Sequence, residues 1–220
     1  MQDRWILPAC ENLNDGAIAW NEICGSECIA RLLFRKRFRS TYEVQNFLRP
    51  RLSSLTDPFL LPQMRAAVAR ILGALDSHER IVLFGDYDVD GVTSLALLAE
   101  MLGGYPEVAR PELFLPLRME EGYGLSRESV ERCLEQHRPQ LLIAIDCGTA
   151  SAGEIAELKN RGVDVIVLDH HEPKSQLPDC VAIVNPKADS ASPFHYLCSV
   201  GIVFKLCHVH LRRGSPAGVA

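Results

Sequence analysis

The chain has 220 residues, 47% of them hydrophobic and 23% charged, which suits a globular protein with a buried core and argues against wholesale disorder. No apolar stretch approaches the ~20 residues that a membrane-spanning helix needs. The net charge of −5 lacks the basic footprint of many nucleic-acid-binding proteins, although carboxylates that hold divalent cations also count as negative in this total.

The cysteines and the first residues of the chain bear on its cellular compartment. Eight cysteines are spread along the chain, and none forms a Cys-x-x-Cys pair of the kind that binds zinc. We therefore expect reduced, mostly buried thiols. Met1 to Trp5 also lack the basic and then apolar build of a secretory signal peptide. These features predict a cytoplasmic protein without a membrane partner.

Residues 1–80 are predicted to form a helical N-terminal leader without strands. Apolar residues at helical spacing predict a helix over 27–38, which carries a basic cluster at 31–39. Two further helices, indicated by a capping box and by a proline in the first turn, are predicted over 40–50 and 63–76. The basic cluster suits contact with DNA phosphates as well as a solvated helix face, and the sequence leaves both interpretations open.

From residue 81 onwards, short apolar runs alternate with helical segments. Strands are predicted over 81–84, 112–117, 141–145 and 163–168, with a candidate fifth strand over 180–184. Helices are predicted over 92–101, 126–137, 151–161 and 201–211. Regular alternation of this kind predicts an α/β fold, with a parallel β-sheet covered by helices on both faces, in a domain over 81–220.

Three groups of polar residues directly follow the ends of three predicted strands. They are Asp86, Asp88 and Asp90 after the first strand, Asp146 after the third, and Asp169, His170 and His171 after the fourth. Ligands of open parallel sheets bind beyond the carboxyl ends of the strands, and right-handed crossovers bring those ends to one edge. We therefore expect the three groups to converge although they lie far apart in sequence.

The residue types in these groups indicate metal-dependent chemistry. Crowded carboxylates repel one another unless a cation neutralises them. Carboxylate oxygens together with imidazoles suit Mn²⁺, and Mg²⁺ to a lesser degree. Two such ions about 3.5–4 Å apart can activate a water and stabilise both oxygens of a displacement at phosphorus. The sequence thus predicts hydrolysis of a phosphate ester.

Simpler interpretations exist for single members of these groups. An aspartate at the end of a strand often caps the following helix, which applies to the acids after the first strand and to Asp146. Cys147, next to Asp146, suggests a nucleophile, but no base is placed in the sequence to activate it.

The combination of motifs resembles a known family. Asp169-His170-His171 after a strand, with Asp88-x-Asp90 and Asp146 upstream, is similar to the DHH phosphoesterase superfamily. Within it the chain resembles the RecJ exonucleases over about residues 27–211. The segments that carry this resemblance are DPFLL at 57–61, FGDYDVDGVT at 84–93, EGYGL at 121–125, DCGT at 146–149, DHHEP at 169–173 and VNP at 184–186.

The resemblance implies roles for individual residues and for the whole protein. Metal ligands or their close neighbours, binding Mn²⁺ or Mg²⁺ and forming the catalytic site, would be Asp86, Asp88, Asp90, Asp146, His170 and His171. Asp146 would bridge two ions, and Arg118 and Tyr123 would contact substrate phosphate or a terminal nucleotide. The implied activity is 5′-to-3′ removal of mononucleotides from single-stranded DNA in recombination and repair. A single-strand-binding protein and a helicase would be further partners.

Two features depart from the family pattern. Ser199 stands where the family usually has glycine, and serine disfavours positive φ. The family's fourth metal motif and second conserved domain are expected beyond residue 220. The domain over 81–220 is therefore expected to be truncated on its C-terminal side, and weakly active or inactive by itself.

Other functions remain open at this point. A haloacid-dehalogenase-like phosphatase also uses an Asp-x-Asp such as Asp88-Val89-Asp90, but it has no role for the histidine pair. Another DHH phosphoesterase, acting on short oligonucleotides, cyclic dinucleotides or pyrophosphate, usually begins its first motif with histidine where this chain has Phe84. A catalytically incomplete DNA-binding fragment is the third alternative.

Overall fold

The computed structural model describes residues 15–105, 110–117, 122 and 124–212, with side chains from residue 20 to residue 209. The chain divides into two compact units, Met1–Thr56 and Asp57–Ala220. Among the residues described, no helix is both long and apolar enough to cross a bilayer.

The N-terminal unit is helical, as predicted. Its helices are α1 (Asp15–Cys24), α2 (Glu27–Arg35) and α3 (Thr41–Leu48), followed by a 3-10 turn over Leu52–Ser54. They enclose a small core formed by Trp20, Ala30, Leu33 and Val44. The predicted basic cluster runs from the middle of α2 into the turn after it, and Arg31 pairs with Glu27 of the same helix.

The C-terminal unit alternates helices and strands. Its elements are α4 (Met64–Asp76), β1 (Ile81–Gly85), α5 (Val89–Gly103), β2 (Glu112–Phe114), α6 (Arg127–His137), β3 (Leu141–Ile145), α7 (Ala152–Asn160), β4 (Asp164–Leu168), β5 (Ala182–Val184) and α8 (Ser199–Arg212), with 3-10 turns over Pro58–Leu60 and Pro186–Ala188. The strands form one sheet in the order β2-β1-β3-β4-β5, and every pair is parallel.

The sheet is buried on both faces, which explains its nearly continuous apolar strands. Successive side chains of a strand point to opposite faces. Ile81 and Leu83 of β1 therefore pack into a core with helices α4, α5 and α8, whereas Val82 and Phe84 pack into a second core with α6 and α7. The predicted α/β class with helices on both faces is confirmed.

The two compact units meet at Thr56 and Asp57, so the structure groups helix α4 with the sheet, whereas the predicted leader over 1–80 includes this helix. Helix α4 belongs with the sheet because its apolar stripe, which includes Met64 and Ile71, is buried in the same core as β1. An amphipathic pattern shows that a helix has an apolar face but does not show which element covers that face.

Polar contacts attach the start and the middle of α4 to the sheet domain. The side chain of Gln63, immediately before the helix, accepts a hydrogen bond of 2.9 Å from the backbone N–H of Ile183. Arg70 forms ion pairs with Glu79 at 2.5 Å and with Asp164, the first residue of β4, at 2.6 Å. Helix α4 is thus a structural part of the sheet domain.

The strand order reverses between β1 and β3. The chain runs from β1 outwards to the edge strand β2 and then returns to pair β3 with the other side of β1. In open α/β sheets the crevice beyond such a switch point is where ligands bind. The polar residues that follow β1 and β3 lie at this point.

Candidate metal centre

The carboxyl edge of the sheet brings the predicted groups together. The backbone N–H of Asp86 donates to the carbonyl of Ile145 at 3.2 Å, and that of Asp146 donates to the carbonyl of Leu168 at 2.9 Å. The ladder therefore continues one residue beyond β1 and β3. Each aspartate is held beside the end of the neighbouring strand.

Five of the six predicted residues form two groups with the geometry of metal ligands. Asp86, Asp88 and Asp146 offer atoms that all lie within 4.8 Å of one another, and so do Asp146, His170 and His171. Asp146 is the member common to both groups. This arrangement suits two divalent cations with a shared carboxylate.

Asp146 has an unusual backbone conformation and two differently placed oxygens. Its φ is +62°, in the left-handed region that non-glycine residues rarely adopt and that tends to occur at functional sites. Oδ1 accepts a hydrogen bond of 2.7 Å from Ser199 and lies 3.4 Å from Nε2 of His170. Oδ2 is buried and accepts no hydrogen bond from the residues that the structure describes. A cation would satisfy this oxygen.

The surroundings of Asp146 disfavour its negative charge. Burial raises its pKa to about 7, and the charges of Asp90 and Asp88 act in the same direction, against the hydrogen bond from Ser199. A carboxyl group held in this way remains partly protonated at neutral pH unless a positive charge is supplied. Carboxylates with two imidazoles are a donor set that suits Mn²⁺. The residues therefore fit a divalent metal.

Asp88 both belongs to the first ligand group and begins helix α5. Its Oδ1 accepts the backbone N–H of Gly91 at 2.9 Å, and this bond lowers the pKa of Asp88. The cap explains why α5 begins at Val89, three residues before the predicted start. Gly91 is required here, because a Cβ atom at this position would lie 2.4 Å from the carbonyl oxygen of Asp86.

Asp90 belongs to neither ligand group. Its two oxygens accept the backbone N–H groups of Ser199 at 2.7 Å and Val200 at 2.9 Å, which are the first donors of helix α8. Its nearest approach to the histidines is 3.6 Å, to Nε2 of His170. Asp90 therefore lies beside the two ligand groups and caps the start of α8. Its predicted role as a metal ligand or a close neighbour of one stays a prediction.

Asp169 orients one of the histidines. Its Oδ1 lies 2.8 Å from Nδ1 of His171 and accepts the backbone N–H of His170 at 2.7 Å, while Oδ2 accepts the backbone N–H of Thr149 at 3.0 Å. Burial alone would raise the pKa of Asp169, but these hydrogen bonds outweigh it and lower the pKa. The bond to Asp169 in turn raises the pKa of His171. Carboxylates that orient a ligating imidazole in this way are common around metals.

Further residues support the centre from outside, and reasoning from the residues alone did not assign them roles. The side-chain amide of Asn185 donates to Oγ1 of Thr149 and to the carbonyl of His171, both at 2.9 Å. Asn185 directly follows β5, so the rule that located the aspartates at strand ends would also have located it. Ser199 had no such signal, because it approaches from α8.

The structure does not support Cys147 as a nucleophile. The side chain is buried, and burial raises the pKa of its thiol well above the usual value, with the charges of Asp169 and Asp86 adding to the effect. Only a thiolate is a competent nucleophile. Arg118 and Tyr123, the predicted substrate contacts, lie outside the described residues.

Comparisons with known proteins agree with this geometry. The chain is 38% identical over 184 residues, 83% of its length, to the single-stranded-DNA-specific exonuclease RecJ of Bacillus subtilis (strain 168). It is 35% identical over 189 residues, 84% of its length, to RecJ of Haemophilus influenzae. A crystal structure of exonuclease RecJ bound to manganese matches 71% of this chain and 39% of that one, with 37% identity and a TM-score of 0.63.

These relatives are much longer than the chain described. The match covers 23% of the Bacillus protein and 32% of the Haemophilus protein. Residues 80–218 match the family described as "DHH family, N-terminal domain". This range contains the five strands, helices α5 to α8 and every residue of the two ligand groups. This match covers more than half of the chain and includes the aspartates at the strand ends and the histidine pair. The chain therefore belongs to the DHH family.

Proposed function

We propose that this chain provides the phosphoesterase domain of a metal-dependent exonuclease that degrades single-stranded DNA from its 5′ end to mononucleotides, in recombination and repair. The observation that carries the proposal is the position of Asp146 in both ligand groups at the switch point of the sheet. The similarity to single-strand-specific exonucleases supports the choice of substrate.

The two ligand groups would each hold one ion. Asp86 and Asp88 would bind the first, His170 and His171 the second, and Asp146 would bind both. Manganese is the metal in the related crystal structure, and Mg²⁺ is the second candidate. When bound, such ions supply an activated water and neutralise charge on the phosphate.

The residues of the chain would position these ligands. Asp169 holds the imidazole of His171 through Nδ1, so that Nε2 is the nitrogen with a lone pair to donate. Asp86 and Asp146 are buried, whereas Asp88 is exposed at the start of α5. Substrate would therefore approach from the side of Asp88. By resemblance, Arg118 and Tyr123 would contact a phosphate or the terminal nucleotide.

The preference for single strands has a physical explanation. A cleft wide enough for only one sugar-phosphate backbone with its bases would admit a single strand to the ligand groups and exclude a duplex. Free 5′ ends of single strands would then be threaded to the ions one nucleotide at a time.

Degradation of a labelled oligonucleotide tests the proposal. The purified chain is incubated with Mn²⁺ and a 5′-phosphorylated, 3′-labelled single strand, and the labelled products are sized over time. We expect slow, progressive shortening of the labelled strand by single nucleotides, in line with the weak activity predicted for this domain by itself. A blunt duplex should remain intact, because it does not enter the cleft.

The variant Asp146→Ala is the control for the mechanism, since it removes the shared ligand from both groups. We expect its activity to fall at least about a hundredfold, as is common when a group that acts on charge in the transition state is lost. Cutting that is independent of Asp146 would contradict the mechanism. Cutting of dinucleotides but not of longer strands would instead favour a short-oligonucleotide phosphoesterase, and DNA binding without cutting would favour a binding fragment.

We also propose a cytoplasmic location and two kinds of protein partner. Every cysteine that the structure describes is a free thiol, as expected in a reducing compartment. A single-strand-binding protein and a helicase are proposed by resemblance, because a single-strand exonuclease needs a source of unwound DNA.

A further inference from the structure

Ser199 places a hydroxyl group inside the candidate metal centre. It is the first residue of α8 and is fully buried. Its Oγ donates a hydrogen bond of 2.7 Å to Oδ1 of Asp146, the carboxylate that both ligand groups share. We infer that Ser199 is a positioning residue that sets how Asp146 presents its oxygens to divalent cations. The inference rests on the proposed metal centre.

The backbone at Ser199 is held in place by hydrogen bonds to Asp90. Its backbone N–H donates to Oδ2 of Asp90 at 2.7 Å, and the neighbouring N–H of Val200 donates to Oδ1 of Asp90 at 2.9 Å. Asp90 is in the first turn of α5, so these bonds join the beginnings of two helices. The Cα atom of Ser199 is thereby held in place, and only the rotation of its short side chain remains.

The bond limits the rotation of the Asp146 carboxylate. A hydrogen bond to an ionised acceptor is about twice as strong as a neutral one, and this bond holds Oδ1 on the side of Ser199. Oδ1 is then the oxygen beside Nε2 of His170, at 3.4 Å. Oδ2, which accepts no hydrogen bond from the described residues, is the oxygen left for a cation.

Removal of the hydroxyl should loosen the centre without removing a ligand. A ligating group that loses its outer hydrogen-bond partner typically binds metal about 10- to 100-fold more weakly. The two candidate metals should respond differently. Mg²⁺ requires nearly ideal octahedral geometry, so a carboxylate free to rotate should weaken Mg²⁺ binding more than Mn²⁺ binding.

The test measures metal binding to the full chain rather than activity. Mn²⁺ is titrated into the protein and the free ion is quantified by electron paramagnetic resonance; Mg²⁺ affinity is then obtained by competition. Ser199→Ala and Ser199→Gly both remove the hydroxyl and keep the backbone N–H that binds Asp90. We expect both variants to bind Mn²⁺ at least about tenfold more weakly, with a larger loss for Mg²⁺.

Ser94→Ala is the matched control. Ser94 is also a fully buried serine in a helix that contacts the sheet, but its Oγ has no hydrogen-bond partner among the described residues. Its replacement should leave both metal affinities unchanged. Thermal unfolding in the presence of a chelator tests whether each variant is folded. If Ser199→Ala does not fold, Ser199→Gly is compared with the wild type instead.

The outcomes separate this inference from the proposed function. If the wild-type chain binds no Mn²⁺, the metal centre itself is wrong, and the role of Ser199 is wrong with it. If the wild type binds Mn²⁺ and the Ser199 variants bind it equally well, the centre stands and the positioning role is overturned. An equal loss for Mn²⁺ and Mg²⁺ would also overturn it, because a general loosening of the fold would have that effect.

Discussion

At the scale of single residues, the centre stabilises the negative charge of Asp169 and destabilises that of Asp146. Asp169 is buried but accepts several hydrogen bonds, and its pKa is lowered. Asp146 is also buried, but it faces other carboxylates and its pKa is raised to about 7. The difference arises from the donors that surround each group. Without a cation, therefore, the fold carries an electrostatic cost concentrated at Asp146.

This cost predicts a pH-dependent stability of the metal-free chain. A carboxyl group whose folded pKa is raised holds its proton more tightly in the folded state, so stability falls as the pH rises from the ordinary value of 3.8 to about 7, and then levels off. Asp146→Asn imitates the protonated form. We expect this variant to be more stable than the wild type at pH 8 by about 1 kcal/mol or more, and similar to it at pH 4.

Denaturant unfolding in a chelator at several pH values measures this difference. The hydrogen bond with Asp169 raises the pKa of His171, which also lowers stability as the pH rises above 6.5, in both proteins. The charge of Asp146 adds to this shift in the wild type alone, so the measured difference includes the interaction between Asp146 and His171. The lowered pKa values of Asp88 and Asp169 act only below the ordinary value of 3.8. Addition of Mn²⁺ should stabilise the wild type and not the variant. A stability difference that does not change with pH would contradict the explanation.

At the scale of elements, the centre depends on how two helices begin. Asp88 caps α5 from within its own chain segment, and Asp90 caps α8 from the first turn of α5. Tight contact between α5 and the end of β1 makes this possible, because Gly91 lets the helix approach the backbone of Asp86. The positions of α5 and α8 therefore determine the geometry of the ligands.

A pair of glycine substitutions tests this close approach. Glycine to alanine in a helix normally stabilises by about 0.5–1 kcal/mol, since alanine has the higher helix propensity. Gly73 of α4 has open space where a Cβ would lie, so Gly73→Ala should stabilise the chain by about that amount. At Gly91 the same change meets the carbonyl oxygen of Asp86, and it should destabilise by roughly 1–3 kcal/mol.

Thermal unfolding measures the stability of Gly73→Ala and of Gly91→Ala relative to the wild type. Titration with Mn²⁺ measures the metal affinity of both variants. Gly91→Ala should also weaken Mn²⁺ binding, because it displaces Asp86, whereas Gly73→Ala should not. If both variants were equally stable, the close approach would have no energetic role.

At the scale of the whole molecule, the chain consists of two compact units with separate cores. The small helical unit has its core around Trp20 and Leu33, and the larger unit contains the sheet. The helix α4 belongs to the larger unit. The segment between α3 and α4 is therefore the connection between units, whereas the segment between α4 and β1 is internal to one unit.

Limited proteolysis with trypsin distinguishes these two segments. The bond after Arg51 lies in the connection, and Arg51 is exposed. Arg80 is exposed as well, but its guanidinium donates to the carbonyl of Arg138 and its carbonyl accepts the N–H groups of Gln140 and Leu141. We expect early cleavage after Arg51 and protection at Arg80, read by mass spectrometry of the fragments. Early cleavage after Arg80 would place the boundary where the sequence suggested.

Much of the fold was predictable because its signals are local. The strands of the sheet are short apolar runs with helices between them, and the observed bounds differ from the predicted ones by a few residues. The alignment of Asp86, Asp146 and Asp169 at strand ends follows from the same pattern. A parallel sheet must bring the carboxyl ends of its strands to one edge, so the convergence of these residues follows from the sequence pattern.

The tertiary structure alone showed which of these side chains lie together and which hydrogen bonds they accept. Asp88 and Asp90 are two positions apart in sequence, yet one belongs to a ligand group and the other binds the first N–H groups of α8. Ser199 reaches Asp146 across 53 positions, and α4 packs on a sheet whose strands follow it in the chain. Sequence determines residue types and local periodicity, but the side of a helix that meets a given carboxylate depends on how all the elements pack together.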